Sequence, residues 1–161
     1  YNGLTNMTII VMSACNSDVP YGVHKNSHAV IAWDEFASWG IVFISPLQRT
    51  VTFRFGTGQS NNWPAYTWPT PVKAGQLTIT STVHDGPAGV DCLFINGKQV
   101  MRVDGRLSEI KHNDKTGYIG RGINDSYFPG DIAAVLIYSR SLSEKERSGI
   151  EKYLARKFLG K

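Results

Sequence analysis

The sequence predicts an all-β domain: a two-sheet antiparallel β-sandwich of the jelly-roll kind, closed by one C-terminal α-helix. Three observations carry this. The hydrophobic pattern is mostly of period two and falls into about nine strand-like runs. Asn96-Gly97 stands between two such runs and readily supplies the positive φ angles of a type I′ hairpin turn. Helical spacing of apolar residues appears at the C-terminal end, with no long internal helix before it.

In chain order, "TIIVMSA" (Thr8–Ala14) reads as a buried strand. "HAVIAW" (His28–Trp33) and "WGIVFIS" (Trp39–Ser45) flank the short acidic connection "DEFAS". Trp33 and Trp39 lie in these strand runs and are expected in the core. "TVTFRFG" sets Val51, Phe53 and Phe55 against Thr52 and Arg54, one face apolar and the other wet. "QLTITSTVHDG" sets Leu77, Ile79, Ser81 and Val83 against Thr78, Thr80 and Thr82, and the threonine row is expected on a solvated sheet face. Val90–Asn96 and Lys98–Val103 form the hairpin around Asn96-Gly97. "GYIGRG" and "GDIAAVLIYSR" supply the last strands. Ser143 opens "SEKE", a capping box in which Glu146 reaches back. Ile150, Tyr153, Leu154 and Phe158 follow at helical spacing and are expected as one apolar stripe packed on the sandwich. Glu144 and Glu146 near the helix start, and Lys152, Arg156 and Lys157 near its end, complement the helix dipole.

The totals bound the function classes. The chain has 161 residues, 42% hydrophobic and 19% charged, which suits one domain with one core spanning residues 1–161. No apolar run is long enough to span a bilayer. The chain begins at Tyr1 with no basic-then-apolar leader, and reads as a mature or excised module of a larger protein, any targeting signal lying outside this window. The net charge of +4 invites a nucleic-acid reading, but its location argues against one. Residues 1–139 balance ten basic against ten acidic side chains, while residues 140–161 hold seven basic and three acidic. One basic helix makes no groove for a polyanion, so no nucleic-acid partner is expected. Cys15 and Cys92 match no zinc or redox spacing; they form one disulfide if the module is secreted, or stay as two buried thiols.

The final third carries a resemblance. Ile119-Gly120, the step Phe128-Pro129-Gly130-Asp131-Ile132, the strand ending in Tyr138, the helix start Leu142-Ser143 with Glu146, and Tyr153-Leu154 follow one another in "GYIGRGINDSYFPGDIAAVLIYSRSLSEKERSGIEKYLARKFLG". This resembles the end of the laminin-G-like domains of the concanavalin A-like lectin/glucanase superfamily. "LTNMTII" and "LFINGKQV" resemble that family's opening strand and hairpin, while residues 15–75 match only as strand pattern. The resemblance implies a two-sheet jelly roll and binding of carbohydrate or protein, usually within a larger extracellular protein.

Catalysis has little support in the residues. Cleaving a glycosidic bond needs two carboxyls across one sugar. Asp34-Glu35 is the only adjacent acidic pair outside the helix, and neighbouring strand residues point to opposite faces. Asp85-Gly86 and Asp104-Gly105 are turn dipeptides. His24 and His28 lack a third ligand for zinc. No cofactor is expected, with calcium the one candidate. Some domains of the resembled family hold calcium in rim loops, and Asn124-Asp125 is an oxygen-rich loop of that kind, with an Asx turn as the plainer reading.

"NNWPAYTWPTP" (Asn61–Pro71) is the strongest candidate site. It holds two tryptophans, a tyrosine and three prolines without a charge, and reads as an exposed loop. A sugar has an apolar C–H face for an aromatic ring and a polar rim for amides and guanidinium forks. Trp63, Tyr66 and Trp68 supply the rings, and Asn61 and Asn62 the amides. The alternative is that these rings cover one end of the sandwich. Arg121, Asn124 and Tyr127 in "GRGINDSYF" form a second candidate strip. The expected function is a non-catalytic, lectin-like carbohydrate-binding module, extracellular, cell-surface or periplasmic. A protein-interaction or structural module and an unusual glycan-cleaving enzyme are the alternatives.

Overall fold

The computed structural model describes residues 3–17, 28–33, 42–47, 50–57, 66–69, 73–111, 116–122 and 126–160. Ten strands and one helix occur among them: β1 (Asn6–Cys15), β2 (Ile31–Trp33), β3 (Val42–Pro46), β4 (Thr50–Arg54), β5 (Tyr66–Pro69), β6 (Thr78–Asp85), β7 (Val90–Ile95), β8 (Lys98–Asp104), β9 (Gly117–Ile119), β10 (Gly130–Tyr138) and α1 (Glu144–Leu159). They form two five-stranded antiparallel sheets, β10-β1-β6-β7-β8 and β5-β4-β3-β2-β9. This is the predicted sandwich, consistent with a jelly roll. Trp39 and the "DEFAS" connection lie outside the described residues.

β1 is an inner strand, between β10 and β6, and is covered on both faces, which is why its sequence is a nearly continuous apolar run. Met7, Ile9 and Val11 face the second sheet, where Val42, Ile44, Val51, Phe53 and Phe55 complete the main core. Ile10 and Met12 face outward and are covered by α1 through Leu154, with Ile79 beside them. The Thr8 hydroxyl fixes the approach of the helix: it donates to Arg140 O at 2.9 Å and accepts from Leu142 N at 3.0 Å.

The hairpin forms as the sequence predicts, with Asn96 at φ 48° and Gly97 at φ 84° between β7 and β8. The capping box is also present: the Ser143 hydroxyl accepts from Glu146 N, and Glu146 accepts from Ser143 N at 2.9 Å. Trp33 is half-buried against the core, and its indole lies so close over Gly117 that a Cβ there would collide with it.

Three expectations are corrected. The threonine row of β6 is not solvated. Thr80 pairs with Val11 and Thr82 with Ile9, so the row faces the sandwich interior, where Thr78, Thr80 and Thr82 are buried. The helix covers the opposite face of β6, so that both faces are dry. The apolar stripe of α1 is shifted: Leu154 is buried and Ile150 packs beside it, but Tyr153 and Phe158 are 58% and 37% exposed. Arg147 and Glu151 take the covered positions instead, because the sheet beneath offers Ser81 and Phe94. The Ser81 hydroxyl donates to Glu151 at 2.6 Å, and Arg147 bonds Glu151 at 2.7 Å while stacking 3.6 Å over Phe94. Third, Tyr66–Pro69 is an edge strand rather than loop. Proline is tolerated there because an edge strand has a side without ladder partners.

Candidate functional site

The rim after β9 is built by backbone bonds at one edge of the second sheet. Gly120 takes φ 77°, a left-handed conformation that suits glycine, and turns the chain out of β9. Its N–H donates to Val30 O at 2.8 Å and its carbonyl accepts from Phe128 N at 2.9 Å. Arg121 and Tyr127 then form an antiparallel bridge, and Gly122 N donates to Ser126 O at 2.8 Å. Arg121 and Tyr127 are thus held side by side; residues 123–125, between them in the sequence, lie outside the described residues.

The side chains add chemistry to this frame. Tyr118 pairs with Ala32, one step out of phase with core residue Ile31, so its ring lies on the face of the second sheet away from the core. The Arg121 guanidinium carbon sits 4.2 Å above that ring. Stacking of this kind fixes the guanidinium plane through its face, and the N–H donors lie in that plane. Tyr127 is 65% exposed. His28 anchors the strip from below: its Nδ1–H donates to Tyr127 O at 2.8 Å, while its own carbonyl accepts from the Ser45 hydroxyl at 2.8 Å. Arg54 lies on the same row, through the pairs Tyr118–Ala32, Ala32–Phe43 and Phe43–Arg54, but it and Thr52 are buried, so this face of β4 is not the wet one its alternation predicts. Burial, and then the neighbouring Arg106 charge, lowers its pKa to about 10, so it remains a cation at neutral pH.

The two sequence-predicted strips are not brought together along the sheet. β5 and β9 are opposite edges of the second sheet. Four strand spacings separate them, about 19 Å. Tyr66 and Trp68 also depart from the exposed reading. They lie opposite Phe53 and Val51, and both are half-buried against the core. The Tyr66 ring centroid is 5.4 Å from that of Phe53, and its hydroxyl pKa is raised, chiefly by burial. Two-residue spacing on a strand put both rings on the core side. Asn61, Asn62, Trp63 and the calcium candidate Asn124-Asp125 lie outside the described residues. Among the described residues, no group of three His, Cys, Asp or Glu side chains is placed to hold a metal ion. Cys15 and Cys92 lie on different strands and are not joined in a disulfide.

Sequence reasoning missed two parts of this molecule. Tyr118 and His28 belong to the rim but lie outside the strip "GRGINDSYF". A charged network inside the sandwich was also missed. His84 Nδ1 and Arg106 Nε each bond Asp91 at 2.6 Å, Arg106 Nη2 donates to Phe55 O at 2.5 Å, and His84 Nε2 faces Ser108 O at 3.1 Å. This network ties β6 and β7 to the chain beyond β4 and so links the two sheets.

The family Laminin_G_3 of the concanavalin A-like lectin/glucanases superfamily matches residues 20–146, and the chain belongs to it. No curated protein matches it. Among solved structures it is similar to the CBM40 of the Ruminococcus gnavus IT-sialidase, with a TM-score of 0.71 at 14% identity over 92% of this chain and 84% of that one. The same module bound to α2,3-sialyllactose gives a TM-score of 0.69 at 14% identity, again over 92% and 84% of the two chains. The binding domain of botulinum neurotoxin DC in complex with SialylT gives 0.65 at 12% identity, over 92% of this chain and 35% of that one. At such identities the likeness is one of fold.

Proposed function

We propose that this chain is a non-catalytic carbohydrate-binding module that works at a cell surface, outside the cell or in the periplasm, as one domain of a larger protein. Its ligand is a glycan with an acidic sugar, held at the rim formed by Tyr118, Arg121, Tyr127 and His28. One observation carries the reading: Arg121 is stacked over Tyr118 at 4.2 Å beside a 65% exposed Tyr127. An oriented guanidinium fork suits a carboxylate or vicinal hydroxyls, and an exposed ring suits the C–H face of a sugar. Arg54 adds positive potential to the same face. The solved relatives with sialyllactose and SialylT are consistent with an acidic glycan. Asn124 stays in the proposed contact set because it falls between Arg121 and Tyr127 in the sequence. Asn61, Asn62 and Trp63 stay in it as a second strip, with Tyr66 and Trp68, which pack against the core.

The described carboxylates support binding without cleavage, because most are already committed. Asp91 is buried between His84 and Arg106, Asp104 bonds Arg102, Asp131 accepts from Asn16, Asp85 accepts from Ala88 N, and Glu109 pairs with Lys111. A glycan array probed with and without calcium tests the reading. Retention of acidic glycans supports it. Retention of none, with or without calcium, contradicts it and favours a protein-interaction module. Release of shortened glycan would show an enzyme.

A further inference from the structure

His84 is wholly buried on the inner side of β6, and the rim proposed above makes no use of it. Its two ring nitrogens meet only acceptors. Nδ1 lies 2.6 Å from Asp91 Oδ1, and Nε2 lies 3.1 Å from the Ser108 carbonyl oxygen. A neutral imidazole carries one N–H and one lone pair, so either neutral tautomer would set a lone pair against an oxygen. The carbonyl has no proton to give, and the Asp91 carboxylate accepts from Arg106 Nε at 2.6 Å through its other oxygen. Only the imidazolium satisfies both bonds.

The groups around the ring decide what a change of protonation does. β7 supplies Asp91, and Arg106 beyond β8 shares that carboxylate. From the second sheet come the Phe55 ring, its centroid 5.4 Å from that of His84, and two titratable groups near Arg106. These are Arg54, which the Arg106 charge repels, and Tyr66, whose ring centroid is 5.5 Å from the Arg106 guanidinium carbon. β1 sets Met7 opposite His84. Asp85, next on β6, accepts from Ala88 N, and Glu109 pairs with Lys111 at the surface. Through the range in which histidines titrate, Arg54, lowered to about 10, keeps its charge, and Tyr66, raised from 10.0, stays neutral. Loss of the His84 proton therefore acts locally. The N–H stays on the shorter bond to Asp91, and a lone pair on Nε2 turns against Ser108 O.

Ser108 belongs to residues 106–111, a strap that joins the two sheets. Arg106 N donates to Gly89 O at 2.9 Å, and Ile110 N donates to Leu4 O at 2.8 Å while its carbonyl accepts from Gly3 N at 2.9 Å. Lys111 N then donates to Gly56 O at 3.0 Å, beyond β4. The strap fits closely: Ile110 is fully buried, and a Cβ on Gly86 would collide with Ser108 O. We propose that His84 is a proton-operated latch, which as an imidazolium clamps this strap through Ser108 O and on deprotonation lets it loosen. The closed strap holds the proton, so closure is favoured at lower pH and lost as pH rises. The latch lies at the far end of β1 from the glycan rim, since His84 pairs with Met7 while Gly130, beyond Phe128, pairs with Cys15. Either can fail without the other.

Two measurements on the intact chain test this. The first is the nitrogen–proton correlation spectrum of the imidazole groups at about pH 6, with His84 assigned through backbone-to-ring correlations. The expected pattern has a proton on each ring nitrogen of His84, and a single protonated nitrogen overturns the proposal. The second is amide hydrogen exchange at Ile110 and Lys111 between about pH 6 and 9, corrected for base catalysis. Protection there should fall about tenfold or more as the His84 resonances titrate, while the amides of Ile10 and Val11 in β1 keep theirs. Level protection at Ile110 and Lys111 while His84 titrates overturns the latch, and so does an imidazolium that persists through the whole range. His84→Gln, which cannot carry the charge, should exchange at the loosened rate at every pH. An unaltered pH dependence in that variant overturns the assignment to His84. The first two readouts need no substitution, so they decide the matter even where His84→Gln does not fold.

Discussion

Arg106 Nε donates to Asp91 Oδ2 at 2.6 Å, and the two side chains are only 2% and 0% exposed. A charge placed in the interior of a sandwich persists only when paired and hydrogen-bonded, and here His84 and Phe55 O complete the set. Removing one partner leaves the other charge buried without compensation. Asp91→Ala should therefore cost about 3–5 kcal/mol of stability, seen as a lowered urea midpoint. Asp104→Ala, which removes the exposed partner of Arg102, should leave the midpoint unmoved. Equal effects would show that the internal network does not hold the sheets.

The packing of α1 gives a second expectation. Leu154 is 3% exposed over Ile10 and Met12, so Leu154→Ala should cost about 2–5 kcal/mol. Tyr153 is 58% exposed, and Tyr153→Ala should stay within about 0.5 kcal/mol. Thermal melts of the two variants check this, and a large effect of Tyr153→Ala would restore the stripe expected from the sequence.

These elements show what was legible in the sequence. The hairpin at Asn96-Gly97 and the Ser143–Glu146 box depend on residues close in the chain, and both formed where expected. The face of β6 did not follow from its alternation, because period two states that there are two faces and not which is dry. The helix covers Ile79 and Ser81, while the second sheet covers Thr80 and Thr82. For Tyr66 and Trp68 the core-cover alternative holds over the exposed one for a related reason: their burial depends on pairing with Phe53 and Val51, while the prolines around them favour a loop. The His84–Asp91 contact requires the register of the β6–β7 hairpin, which places them directly opposite. Arg121 and Tyr127 lie in one short strip of sequence, whereas Tyr118 and His28 come beside them only through the pairing of β9 and the bond to Tyr127 O.

The helix cap gives a pH dependence. The Ser143 hydroxyl and N–H, then Arg140, hold the Glu146 carboxyl below its ordinary value of 4.5. A depressed carboxyl contributes stability above its unfolded pKa and loses it as pH falls through the folded value. The cap should therefore weaken as pH falls below about 4.5, and Glu146→Gln should make the melting temperature less sensitive to pH in that range. Identical acid limbs for the two proteins would remove Glu146 from the account.

Stability and binding should separate at the rim. Tyr66→Ala removes a ring packed on Phe53 and should lower the melting temperature by several degrees. Arg121→Ala and Tyr127→Ala act at the rim, outside the core cluster, and should change it little. The most direct measurement is calorimetric titration of the original chain and of Arg121→Ala with the best acidic glycan found on the array. The account predicts saturable binding by the original chain and a loss of tenfold or more in Arg121→Ala, at an unchanged melting temperature. Equal affinity in the two proteins would contradict a site centred on Arg121.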